Sequence, residues 1–163
     1  MAAQRQESRV RVLGLLVIIA GAILLVAGVG TYILVSTTLA DQNITVADDA
    51  DRFAGQQVTQ PWQAYAQAEV INDHATEIGG GKTYAELPQD DPNRETVMNA
   101  SFLQASLFTS VLAFGVAALA VGLGVVFILV GAALRSIAGS MESREVVRIM
   151  PGGSEPAGAA RPA

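Results

Sequence analysis

The chain has 163 residues, 51% of them hydrophobic and only 15% charged, with a formal net charge of −5 and no cysteine. Soluble globular domains carry roughly a quarter charged residues, so this composition is short of charge for one. The missing cysteines exclude disulfides and thiolate chemistry, and the acidic balance excludes a nucleic-acid partner, which needs a basic patch.

Residues 1–11 form a basic N-terminal tail, with Arg5, Arg9 and Arg11 against a single acid, Glu7. The apolar run Val12–Val35 follows. Its 24 residues exceed the roughly 20 that a helix needs to cross the hydrocarbon core, which predicts a first transmembrane helix over 12–35. A secretory signal peptide cut near Thr38-Leu39-Ala40 is the alternative, but signal cores run only about 7–15 residues. Gly14, Gly21 and Gly28 recur every seven positions, close to one helical face, and offer a groove where another helix can approach. Tyr32 falls near the outer end of the span, where an amphipathic ring suits the headgroup level.

Residues 36–107 separate this run from the next. Over Asp41–Asn99 there are 11 acids (Asp41, Asp48, Asp49, Asp51, Glu69, Asp73, Glu77, Glu86, Asp90, Asp91, Glu95) against three bases (Arg52, Lys82, Arg94), a balance of −8. The terminal segments together carry seven bases and four acids, a balance of +3. Lys and Arg near the spans stay cytoplasmic, so both termini are expected inside a bacterial inner membrane and the acidic segment outside. Arg5, Arg9, Arg11 and Arg135 are the expected topology anchors.

The acidic segment reads as helical. Thr59-Gln60-Pro61 is a helix start, since proline suits the first helical position. Ala64, Ala68, Ile71, Ala75 and Ile78 then form one stripe at i+3/i+4 spacing, and Gly79-Gly80-Gly81 ends the helix. Asp91-Pro92 is a second start, with an aspartate able to cap. From there Val97, Met98, Phe102 and Ala105 lead without a breaker into Phe108–Leu134, 27 residues without a charge and the second expected transmembrane helix. It is expected to be the inner part of a helix of about 40 residues from near Pro92. Ala118-x-x-x-Gly122, Ala120-x-x-x-Gly124 and Gly131 are the small positions expected to meet Gly14, Gly21 and Gly28. Phe53, Val58, Trp62, Tyr65, Tyr84 and Leu87 are expected to cover a small external core. Residues 135–163 form a cytoplasmic tail, with a short amphipathic stretch over Met141–Ile149 and a Pro/Gly-rich end that cannot build a core.

Candidate chemistry is sparse. Gly81-Lys82-Thr83 lacks the upstream glycine and the strand–loop–helix context of a phosphate loop, position 76 being Thr76. His74 is the sole histidine, one turn from Glu77 and beside Asp73, too few ligands for a catalytic zinc or a non-haem iron triad; a surface pairing with Glu77 is the simpler expectation. Asp48-Asp49-x-Asp51 and Asp90-Asp91 do not match a calcium loop. Asn43-Ile44-Thr45 and Asn99-Ala100-Ser101 match the glycosylation pattern, which matters only in a eukaryotic source. The spans hold no charge, against a proton path, an ion channel or a transporter. No catalytic residue, metal ligand or cofactor is assigned.

The block Gly79–Pro92, with Asn99–Val116 after it, resembles a family of small actinobacterial two-span membrane proteins that often carry the label "aromatic ring-opening dioxygenase". The resemblance implies a two-span all-α fold over most of the chain. Enzymes properly so named are soluble and hold iron through two histidines and a glutamate, a set that one histidine cannot complete. The expected function is therefore a non-enzymatic accessory or structural subunit, partnered by the lipid bilayer and by another membrane protein or a second copy. An envelope sensor using the acidic segment, and an iron-dependent dioxygenase as the label has it, are the alternatives.

Overall fold

The computed structural model describes residues 2–149 of the chain, with side-chain detail over residues 8–139. It contains three helices, α1 (Ala2–Asp41), α2 (Pro61–Ile78) and α3 (Arg94–Ile149), and no strand among the described residues. Two of the helices are long and apolar enough to cross a membrane, over Ser8–Asp41 and Arg94–Gly139, with 34 and 46 residues. Only 17% of the most apolar stretch of each is buried inside the chain, whereas the core helix of a soluble protein is mostly buried. The all-helical, two-span expectation holds at that level.

Both long helices stay unbroken because nothing in them competes with the backbone ladder. No proline occurs between Pro92 and Pro151. The hydroxyls bond back along the helix: Thr38 donates to the Leu34 carbonyl at 2.8 Å, and Thr109 to that of Ala105 at 2.7 Å. The helix α3 starts at Arg94, two residues after Pro92, with the Asp91 carboxylate accepting the Asn93 amide at 2.8 Å. Its 56 residues exceed the expected 40, because no breaker separates Leu134 from the stretch Met141–Ile149, which continues the same helix. The Pro/Gly-rich end lies outside the described residues.

The chain divides into two compact units. The first gathers the part of α1 up to Ile23 and the part of α3 from Gly124. Here backbones meet almost directly: a Cβ on Gly21 would lie 2.6 Å from the Gly124 carbonyl oxygen, and one on Gly14 would lie 2.9 Å from that of Gly131. Real Cβ atoms do not approach so closely, so only glycine fits.

The second unit is Leu24–Leu123. Within it Gly28 meets α3 in the same way, 2.7 Å from the Ala117 carbonyl oxygen to a would-be Cβ. Its core gathers Leu39, Val46, Val58, Ala64, Ala68, Leu107 and Phe114, with Tyr32 edge-on to Phe114 at 4.8 Å. Val46 and Val58 reach it because residues 44–46 and 56–58 pair antiparallel. Val58 donates to the Ile44 carbonyl at 2.8 Å and Val46 to that of Gln56 at 2.9 Å. The turn between them passes through left-handed Phe53 and Gly55, with φ of 62° and 71°.

The helix α2 begins at Pro61, as its sequence dictates. The Gln63 side-chain oxygen reaches back to the amides of Thr59 at 3.0 Å and Gln60 at 3.1 Å, satisfying donors that a helix start leaves unpaired. After Ile78 the chain turns on Gly80 and Gly81, both left-handed, with φ of 64° and 82°. Arg94 fastens the next loop: its guanidinium donates to the carbonyls of Tyr84 and Leu87 and lies 4.3 Å from the centre of the Tyr84 ring.

Two expectations are corrected here. Trp62 and Tyr65 do not cover the core but are 51% and 47% exposed. Ala64 and Ala68, flanked by Gln63, form the buried face of α2. Such small residues bring the helix axis close to the core and turn the neighbouring aromatic rings outward. His74 does not pair with Glu77; the fold of residues 42–60 delivers Asp49 to it instead.

Candidate functional site

Helix α2 runs antiparallel to the N-terminal part of α3. Tyr65, near its start, packs edge-on to Phe108 at 5.8 Å, and the Ile78 carbonyl at its end accepts from Asn93 at 3.1 Å. The residues between Val46 and Val58 lie alongside α2, with Ala50 and Phe53 packed against the core cluster that holds Ala64 and Ala68. They are held by the Gln67 side chain, which accepts the Ala47 amide at 2.8 Å, and by Asp49, which meets the His74 ring at 2.6 Å. Together these elements enclose an open cleft of about 1010 Å³.

The lining changes character along the helices. Toward the start of α2 it includes Trp62, Tyr65, Phe108 and Val111; toward its end Glu69, Val70, Asn72, Asp73 and Gln104, with Asp49, Ala50, Asp51, Arg52 and Phe53 on the loop side. The register explains this, since positions 62, 65, 69 and 73 of α2 follow one another at i+3/i+4 spacing on a single face.

Two ionisable groups of the cleft are shifted. The hydrogen bond from His74 holds the Asp49 carboxyl below its ordinary range. Glu69, accepting from the Tyr65 hydroxyl, pushes that phenol above its ordinary value. Away from the cleft, the amide and hydroxyl of Thr83 both donate to Glu86 at 2.8 Å and hold its carboxyl low. Lys82-Thr83 thus belongs to a turn closed by Glu86. No group of three or more His, Cys, Asp or Glu side chains converges to hold a metal ion among the described residues. Asp49 is brought to His74, whereas Asp73 and Glu77 make no hydrogen bond with that ring.

The small residues named for helix packing divide into two sets. Gly14, Gly21, Gly28 and Gly124 sit in the α1–α3 contacts of their respective units. Ala118 and Gly122 do not: Ala118 is exposed, and a Cβ on Gly122 would meet nothing within 4 Å. The expected Gly124 and Gly131 do meet α1 glycines, and the third partner is Ala117, the three being seven apart. Of the arginines expected to anchor the topology, Arg9, Arg11 and Arg135 are exposed, and the stem of Arg135 lies against Gly14. The Arg5 side chain lies outside those described.

Sequence reasoning missed the glutamines. Gln63, buried at 9% exposure, accepts from Thr59 and Gln60 and donates to the Gln56 side chain at 3.1 Å. The Tyr32 hydroxyl donates to Gln60, and Gln57 donates to the Ala40 carbonyl at 2.9 Å. A signal was present: Gln63, three residues after the cap position Gln60, is the reach-back position of a capping box. No family model, curated protein or solved structure matches the chain.

Proposed function

We propose that this chain is a non-enzymatic, two-span accessory subunit of a bacterial inner-membrane assembly, with both ends cytoplasmic and residues 36–107 outside. The observation that carries the reading is the surface left over by the α1–α3 contacts. Large side chains such as Leu16, Ile23, Leu112, Leu119 and Leu129 point away from the chain with 55–67% exposure. Such an area calls for lipid or protein around it. On α3, Gly115, Ala118 and Gly122 form an exposed small-residue face of the kind that lets membrane helices approach. The Lys/Arg distribution supports the orientation.

Purification from native expression in a mild detergent tests this. A defined membrane protein or a second copy is expected to co-migrate, and Gly122→Leu is expected to release it without unfolding the chain. A partner-free monomer, or co-migration indifferent to Gly122→Leu, contradicts it.

A second reading, an envelope binding module, is favoured by the cleft between α2, α3 and the loop after α1. Ligand-dependent changes at that cleft distinguish it from a purely structural role.

A further inference from the structure

We infer that the cleft receives a cationic amphiphile, a substituted ammonium head on an apolar body. The inference rests on the binding reading and names its ligand class. The polarity of the lining sets the orientation: the head lies toward Asp51, Glu69 and Asp73, and the body lies against Trp62, Tyr65 and Phe108.

Three comparisons single out this class. An anion is disfavoured, because the lining holds four carboxylates (Asp49, Asp51, Glu69, Asp73) against the single cation Arg52. A bare metal ion is disfavoured by geometry. Calcium needs about six to eight oxygens converging on one point, and no group of three or more candidate ligands converges among the described residues. A neutral apolar ligand leaves the acidic end unused.

A substituted ammonium needs no converging ligands. Its charge is diffuse and is satisfied by carboxylates at a distance, while its alkyl part gains from contact with aromatic rings. Trp62, Tyr65 and Phe108 remain 51%, 47% and 38% exposed, although large aromatic side chains gain from burial. The volume of about 1010 Å³ suits an organic molecule, at the upper end of the roughly 300–1,000 Å³ usual for such sites. The aromatic end includes Phe108 and Val111, at the start of the expected second span, so an apolar body lying there continues onto the apolar surface of that helix.

Trp62 is the only tryptophan of the chain and stands in the cleft wall, so its fluorescence reads the site directly. The full-length protein in a neutral maltoside detergent is titrated with hexyltrimethylammonium, hexanol, hexyl sulfate and calcium, each below any micelle-forming concentration. A saturable change is expected with hexyltrimethylammonium, about tenfold weaker in the Asp51→Asn/Asp73→Asn variant. Hexanol and hexyl sulfate are expected to give no saturable change. The variant sits in the same detergent, so partitioning into micelles cancels, and circular dichroism checks that both proteins are equally helical. An equal response to hexanol, or one undiminished in the variant, overturns the inference. Saturation by calcium alone overturns it while leaving the binding reading intact. Silence toward all four probes overturns both.

Discussion

The Asp49 carboxylate and the His74 imidazole meet at 2.6 Å although 25 positions separate them in the chain. That contact fastens the loop after α1 onto α2 and forms one rim of the cleft. Both side chains are more than half exposed or close to it, at 59% and 50%, so the latch is open to solvent and to protons.

Acid is expected to loosen this loop. The Asp49 pKa is lowered in the folded chain, first by the His74 hydrogen bond and then by its own backbone. A lowered carboxylate contributes stability that is present above its ordinary value of 3.8 and is lost as the pH falls through the folded value. Glu86, lowered from 4.5 by the Thr83 amide and hydroxyl, acts in the same direction. Hydrogen exchange at Val46 and Gly55, whose amides close the loop, is expected to accelerate on acidification from pH 6 toward the carboxylate range, after correction for intrinsic rates. In Asp49→Asn it is expected to be faster already at pH 6, with less further change. Identical profiles for the two proteins would remove the latch.

Packing between the long helices is expected to discriminate sharply among glycines. A side chain at Gly21 collides with the Gly124 carbonyl oxygen and the Ile128 amide, atoms that move only if the helices separate. Gly21→Val is expected to destabilise the chain by about 1–3 kcal/mol, the usual range for overpacking. Gly122→Val meets nothing and is expected to stay within about 0.5 kcal/mol, as for surface changes. Thermal unfolding of both in detergent checks the contrast. Equal losses would mean that the α1 glycines do not form the seam.

Gln63→Leu is expected to cost about 1–3 kcal/mol, from the roughly 0.5–1.5 kcal/mol that each of its hydrogen bonds contributes. The substitution keeps the side chain's approximate bulk but strands the Thr59 and Gln60 amides and the Gln56 side-chain oxygen. Gln67→Leu strands a single amide, that of Ala47, and should cost less. The order of unfolding midpoints decides; a Gln63→Leu protein as stable as the parent contradicts the proposed hub.

The features legible in the sequence were those written in local chemistry. Charge-free length marked both spans, Pro61 marked the start of α2, and Gly79–Gly81 marked its end. The seven-residue glycine repeat marked the contacting face of α1. Its counterpart on α3 was harder to see, because that run is apolar and small on every side. Ala118 and Gly122 look no different in composition from Ala117 and Gly124. Gly124 and Gly131 were legible as small positions, and the same period of seven adds Ala117 to them, since matched heptads keep two helices in register. The candidate site was not legible. Its rim depends on the pairing of residues 44–46 with 56–58, which no hydrophobic period announces, and its wall depends on Trp62 and Tyr65 turning outward beside two alanines.

The two-span arrangement with residues 36–107 outside is the claim on which the other readings stand. The chain lacks cysteine, so a single introduced thiol is a clean probe of side. Lys82→Cys lies between the two long helices and Ser8→Cys ahead of the apolar run that begins at Val12, both at exposed positions. In intact cells treated with a membrane-impermeant maleimide, Lys82→Cys is expected to label at once and Ser8→Cys only after the membrane is permeabilised. Labelling of both from outside, or of Ser8→Cys alone, would contradict the arrangement.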